Sequence, residues 1–198
     1  MSQVTQILNW VSNSLLLPVI VLLLAALISS LISLGGFCAT YLALLNEKKK
    51  RTALLKDIKE DKDIDFINCG GGIFAGHLAE LAKFNWNELE CEKRISEIES
   101  EYEKELERSR FMTKVAPMLG LMGTLIPMGP ALAGLASGDI ANMAYNMQIA
   151  FATTVVGCVS AGIALLIYSV KKHWFSGEIA NLRYALDRKL FQEVKRED

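Results

Sequence analysis

Two threonines, each on a stripe of small residues, stand in largely apolar stretches of sequence. Thr124 closes "APMLGLMGT", residues 116–124, and Thr154 lies in "FATTVVG", residues 151–157. A threonine hydroxyl carries one donor and two acceptor lone pairs. In an apolar helix it can bond back to a carbonyl of its own preceding turn and do nothing further. It can also meet water or a polar group brought by a neighbour. Each threonine belongs to a stripe of small residues at three- and four-residue steps. The first stripe is Ala116, Gly120, Thr124, Pro127 and Ala131; the second is Ala150, Thr154, Gly157, Ala161 and Ala164. Small residues let helix backbones approach where lipid supplies no hydrophobic drive for association. The same spacing can line a narrow passage, because small side chains leave room beside another helix. Thr153 and Ser160 lie off the stripe; together with Asn142, Asn146 and Gln148 they make the second segment more polar than a lipid-facing helix needs to be.

The elements that must position these groups follow from the hydropathy pattern. The chain has 198 residues, 52% of them hydrophobic, and gathers its apolar residues into long blocks. Residues 15–45 carry no charge, and residues 115–170 carry only Asp139. A hydrocarbon core about 30 Å thick takes roughly 20 apolar residues of helix. The first block supplies one span, and the second supplies two joined by a turn at "ASGDIAN", residues 136–142. All 21 Lys and Arg fall in two stretches, Lys48–Lys114 and Lys171–Arg196. Basic loops stay on the cytoplasmic side. The expected topology therefore has the N-terminus outside, residues 47–114 inside, the 136–142 turn outside and the C-terminus inside. The first apolar run is too long for a signal-peptide core and lacks a basic region before it, so it reads as a retained span. The expected fold is an all-α integral membrane protein with three transmembrane helices and long cytoplasmic helical extensions. Its segments are 1–46 (tail and first span), 47–114 (cytoplasmic helical domain), 115–170 (second and third spans) and 171–198 (amphipathic tail helix).

"NELE", residues 87–90, has the pattern of a capping box, with Asn87 as N-cap and Glu90 reaching back to it. Cys91, Ile95, Ile98, Tyr102, Leu106 and Ser109 follow as one narrow apolar stripe. No breaker intervenes before Pro117, so one helix should start in the cytoplasm and run on into the membrane. Phe175, Ile179, Leu182, Leu186, Leu190 and Val194 repeat the pattern in the tail. These stripes should pack on each other and on residues 52–60 and 73–84. "ESEYEKELERSR", residues 99–110, reads as a solvated helix face. "NCGGG", residues 68–72, has no following Gly-Lys-Ser/Thr and no strand before it, so it reads as a connection between helices rather than a phosphate loop. Cys38, Cys69, Cys91 and Cys158 show no metal-ligand spacing and read as small packing residues. His77 and His173 read as surface or interfacial groups. There is no nucleophile–base pair, nucleotide motif, cofactor motif or nucleic-acid-binding pattern, so the chain reads as neither an enzyme nor a nucleic-acid binder.

"APMLGLMGT" resembles the "AP-x-LGLLGT" signature of the MotA/TolQ/ExbB proton-channel family. "FATTVVG", followed eleven residues later by Tyr168, resembles that family's third-helix pattern. The resemblance is specific over residues 112–172 and extends to the topology, whose three spans fit the TolQ/ExbB branch. In that alignment Thr124 and Thr154 fall on the two characteristic threonines. There are departures: the third-helix glutamate is Ile149 here with Gln148 beside it, the mid-helix proline is Ile163, and "IPMG" replaces the Trp-Gly after "GT".

The resemblance implies an ion-conducting subunit, with the proton as the ion, in a motor or energy-transducing complex of the inner membrane. Neither small-residue helix contains Asp, Glu, His or Lys. The titratable group would come from a single-span partner of the ExbD/TolR/MotB type with one membrane aspartate. The family implies a homopentamer around a dimer of that partner, with Thr124 and Thr154 offering hydroxyls to the aspartate or to water. A non-conducting oligomeric scaffold for cytoplasmic partners is the alternative.

Overall fold

The computed structural model describes residues 2–59 and 72–197. Four helices account for nearly all of them: α1 (Ser2–Lys59), α2 (Ile73–Lys83), α3 (Glu88–Ser137) and α4 (Ile140–Glu197). Among the described residues there is no strand. α1, α3 and α4 each contain a stretch long and apolar enough to cross a membrane. The protein is a multi-pass, all-α membrane protein with long helical extensions. The 68–71 connection, Cys69, and the side chains of residues 53–60 and Val194 lie outside the described residues.

Two compact units divide the chain: Met1–Gly36 with Arg108–Tyr168, and Phe37–Glu107 with Ser169–Asp198. The second has a core of ordinary soluble type. Phe74, Leu78 and Leu81 of α2 pack with Cys91, Ile95 and Ile98 of α3 and with Ile179, Leu182 and Leu186 of α4. The two stripes read from sequence thus meet, with α2 as the third wall. Asn87 caps α3 through its Oδ1, which accepts from the amides of Leu89 at 3.1 Å and Glu90 at 3.4 Å. The reciprocal half of the box is replaced: the Asn87 amide donates to the Phe84 carbonyl at 3.1 Å. That bond belongs to the tight α2–α3 turn, where Asn85 and Trp86 take φ of 48° and 55°. A bulky residue with positive φ is strained; Trp86 is held there by packing on the core.

In the first unit α1 buries Val19, Leu23, Ala26 and Ser30, again at helical steps. Ser30 Oγ donates to the Ser160 carbonyl of α4 at 3.3 Å. α3 runs unbroken through Pro117, Pro127 and Pro130, as membrane helices can when neighbours compensate the lost bonds. It ends on Gly138, whose φ of 78° suits a residue without Cβ. Asp139 then caps α4, its Oδ1 accepting from the Asn142 amide at 3.0 Å. The one charge in the 115–170 block is therefore an N-cap at the turn.

Candidate functional site

The small stripes of α3 and α4 face each other at their closest approach. A Cβ built on Gly157 would lie 2.9 Å from both the Ala116 carbonyl oxygen and the Gly120 Cα. One built on Gly120 would lie 3.4 Å from the Gly157 Cα and 3.7 Å from the Thr154 Cα. The neighbouring atoms are backbone, so the helices could admit a side chain only by separating. Of the two uses the stripes could have, the geometry within one chain realises the first, close helix approach. Ala116, Gly120, Pro127 and Ala131 of α3 are buried, as are Ala150, Gly157 and Ala164 of α4, while Ala161 is half-buried.

Thr124 and Thr154 flank this crossing, and both are half-buried. Thr124 Oγ1 donates to the Leu121 carbonyl at 2.7 Å, and Thr154 Oγ1 donates to the Ala150 carbonyl at 3.1 Å. The two hydroxyls are not bonded to each other. Each has committed its proton to its own helix and keeps oxygen lone pairs as acceptors. Pro127 adds a further polar group that sequence reading passed over. It has no N–H, so the carbonyl of Gly123, one turn back, lacks its regular helical donor. The signal for it was the proline itself.

Thr153 and Ser160, which lie off the small stripe, are core residues of this unit. Ser160 is fully buried; its Oγ donates to Val156 at 2.8 Å while its carbonyl accepts from Ser30. Thr153 is buried against Gly123, where an added Cβ would sit 2.6 Å from the Thr153 Cβ. Lying off the small stripe did not make these positions neutral, because α1 and a second face of α3 cover them. The cysteines divide. Cys91 is buried in the soluble-type core, where burial first, and then the charges of Glu90 and Glu92, push its thiol pKa up. Cys38 and Cys158 are exposed on the single chain, against the expectation of packing roles.

Outside the spans, a polar trio joins three helices. Tyr102 Oη donates to Glu178 Oε1 at 2.9 Å, and His77 Nε2 lies 3.2 Å from the same hydroxyl. The Tyr102 ring stacks on Phe175 with centroids 4.0 Å apart. His77 is thus interfacial, as its isolation in sequence suggested.

Residues 73–183 match the model of the MotA/TolQ/ExbB proton channel family. The matched segment covers α2, α3 and most of α4, including both threonines and the glycine crossing. No curated protein matches the chain at a significant level.

Proposed function

The chain belongs to the MotA/TolQ/ExbB proton channel family, and from that premise we propose that it is the proton-conducting subunit of an ion-motive-force-driven inner-membrane complex. In this reading residues 1–46, 47–114, 115–170 and 171–198 act as first span, cytoplasmic domain, paired spans and cytoplasmic tail helix. The N-terminus lies outside and the C-terminus in the cytoplasm. Five copies form a ring around a dimer of a single-span partner whose membrane aspartate carries the proton. The half-buried edge of the α3–α4 pair, at Thr124, Thr154 and Ala161, faces that partner, and the buried small residues hold the pair close enough to form the edge.

One observation carries the mechanism: both threonine hydroxyls donate to their own helices. A protonated carboxyl can donate to such an oxygen without disturbing it. An ionised carboxylate can only accept, so the hydroxyl must rotate and give up its back-bond. The site therefore interacts differently with the two states of the aspartate, which any population shift requires. A proton falling through 100 mV releases about 2.3 kcal/mol, enough to bias such a step. The chain itself supplies no mid-span acid or base; one there would cost about 2.5–3.5 kcal/mol to insert.

The same back-bonds favour the second reading, a non-conducting scaffold in which the hydroxyls only satisfy the backbone. Proton flux separates the two. The subunit is co-purified with its partner, reconstituted into vesicles, and assayed with an internal pH-sensitive dye. Thr124→Val and Thr154→Val keep the volume and remove the hydroxyl. A hydrogen bond to a charged group is worth about 1.5–3 kcal/mol, so each change should lower flux by roughly ten-fold or more with assembly intact. Thr113→Val is the control, since Thr113 makes the same back-bond, to Arg110 at 2.7 Å, away from the crossing. Absence of flux from the wild-type complex would leave the scaffold reading, whereas wild-type flux from the double variant would remove the two hydroxyls from the path.

A further inference from the structure

We infer that the first unit contains a binding site for the phosphate of an anionic phospholipid, centred on Arg108. Sequence alone places Arg108 in a run of alternating charges that reads as a solvated face. In the structure its guanidinium turns toward α1, where Nη2 donates to Ser29 Oγ at 3.0 Å. Among the described residues its partner is thus a hydroxyl rather than a carboxylate. The two sit in a cleft whose polar lining is Ser29, Ser30, Ser33, Arg108 and Ser109. Met112, Ala164 and Ile167 complete the wall, and no carboxylate lines it.

The lining is rich in donors. Arg108 has one N–H on Ser29 and four remaining. Ser29 accepts from Arg108, which leaves its own proton to donate. Ser33 and Ser109 add two more hydroxyls, while Ser30 has given its proton to the Ser160 carbonyl. A set of N–H and O–H donors around a permanent cation complements a group made of acceptor oxygens with negative charge. A phosphate diester is such a group, and guanidinium matches it in two-point geometry.

The depth of the cleft selects the source. A charge keeps itself out of hydrocarbon, whereas an apolar residue does not have to lie in it. The level of the bilayer is therefore set by α3, whose charge-free stretch begins at Val115. Arg108 precedes it by seven residues, about 10 Å of helix. The polar zone of each leaflet extends roughly 5–8 Å beyond the 30 Å core, so a long side chain at Arg108 reaches the phosphate level. Arg110 and Lys114 add cations to the same stretch, and both favour an anionic leaflet. Exposed Leu24, Ile28 and Phe111 offer apolar surface on the membrane side of the cleft for acyl chains. None of this depends on the threonines or on ion conduction.

Native mass spectrometry of the full-length protein in mild detergent tests the site. Phosphatidylglycerol, phosphatidylcholine and inorganic phosphate are added in separate arms. The wild type should retain phosphatidylglycerol in preference to phosphatidylcholine. Arg108→Gln should lower that retention at least ten-fold, and Arg108→Lys should give an intermediate value, keeping the charge but not the fork. Should Arg108→Gln fail to fold by circular dichroism, the Ser29→Ala, Ser33→Ala double variant carries the test, with a several-fold loss expected. Equal retention by wild type and the folded variants overturns the site. Uptake of inorganic phosphate without retention of lipid overturns the lipid as its source.

Discussion

The two units solve the same packing problem with opposite side chains. In the unit built on α2, the fully buried residues include Leu78, Leu81, Ile95, Ile98, Leu182 and Leu186. In the unit built on the spans they include Ala116, Ala131, Pro127 and Ser160, with Gly120 and Gly157 in backbone contact. Water explains the difference. Where the outside is aqueous, each large apolar side chain removed from it contributes about 1.5–3 kcal/mol. Where the outside is lipid, that gain is absent, and helices are held by close contact between atoms that only small residues permit. Where α3 crosses α4, large side chains accordingly point away from the contact: Met118, Leu121, Leu125, Phe151 and Val155 are all exposed on the single chain, while Val19 and Leu23 of α1 and Ile167 of α4 are large side chains that this unit does bury.

Filling the small contact should therefore have the largest effect. Gly157→Leu places atoms where the Ala116 carbonyl and Gly120 Cα already stand. Overpacking against side chains costs about 1–3 kcal/mol; here the backbone itself must move, and a loss above about 3 kcal/mol is expected. Unfolding in a detergent titration, followed by circular dichroism, measures it. Gly129→Leu and Gly162→Leu are the counterparts, since a Cβ at either meets nothing within 4 Å. They should leave the single chain's stability within about 0.5 kcal/mol. A loss at Gly129 or Gly162 as large as at Gly157 would break the comparison, because glycines exposed on the single chain and glycines at the helix contact would then be alike.

The opposite substitution should matter in the other unit. Leu81 is 0% exposed, between α2 and its neighbours. Leu81→Ala removes a buried side chain and leaves a cavity, a change worth about 2–5 kcal/mol. Leu121→Ala, at a site 60% exposed in the span unit, should cost about 0.5 kcal/mol or less. Denaturant or thermal unfolding with a probe on Trp86 reads the first, and the detergent titration reads the second. Equal losses would mean that lipid does not substitute for a partner at Leu121.

What was legible in sequence follows from the same physics. Uncharged runs at 15–45 and 115–170 announce the spans because charge in hydrocarbon is costly, and no alternative fold uses such runs. The stripes on α3 and α4 announce the soluble-type core because water enforces a strict apolar face. Periodicity gives the face of a helix but not what covers it. The polarity of Thr153 and Ser160 set them apart from a lipid-facing surface but did not name α1 and α3 as their cover, and the solvated face at 99–110 gave no sign that the exposed Arg108 would meet Ser29. A proline's cost is judged by the isolated helix, whereas in a bundle neighbouring groups absorb it, so α3 carries three without a break. The turn at Asn85 and Trp86 was legible in the Asn87 cap and in Asn85, a type that tolerates positive φ; Trp86 was not, since it takes a conformation its type disfavours and is held there by packing on the core.

The smallest expected effect lies where the soluble-type core departs from pure apolar packing. Tyr102 and Glu178 place a phenol and a carboxylate inside it, with His77 at the edge. Tyr102→Phe keeps the ring stacked on Phe175 and removes the hydroxyl that donates to Glu178 and lies beside His77 Nε2. At neutral pH the loss should be about 1–2 kcal/mol, the cost of leaving a largely buried acceptor short of one bond. The pH dependence identifies the group. Burial first, and then the Glu178 charge, push the Tyr102 phenol well above its ordinary value of 10.0. A raised folded-state pKa contributes stability that is fully present below the unfolded value and lost as pH rises past it. Above pH 10 the unfolded phenol releases its proton while the folded one keeps it. The wild type should then lose about 1.4 kcal/mol per pH unit relative to Tyr102→Phe. The two stability curves, measured by denaturant titration from pH 8 to 11, should run parallel up to about pH 10 and converge beyond it. Curves that stay parallel throughout would mean that Tyr102 ionises as freely in the folded protein as in the unfolded chain, and that the phenol is wetter than its stacked, hydrogen-bonded setting implies.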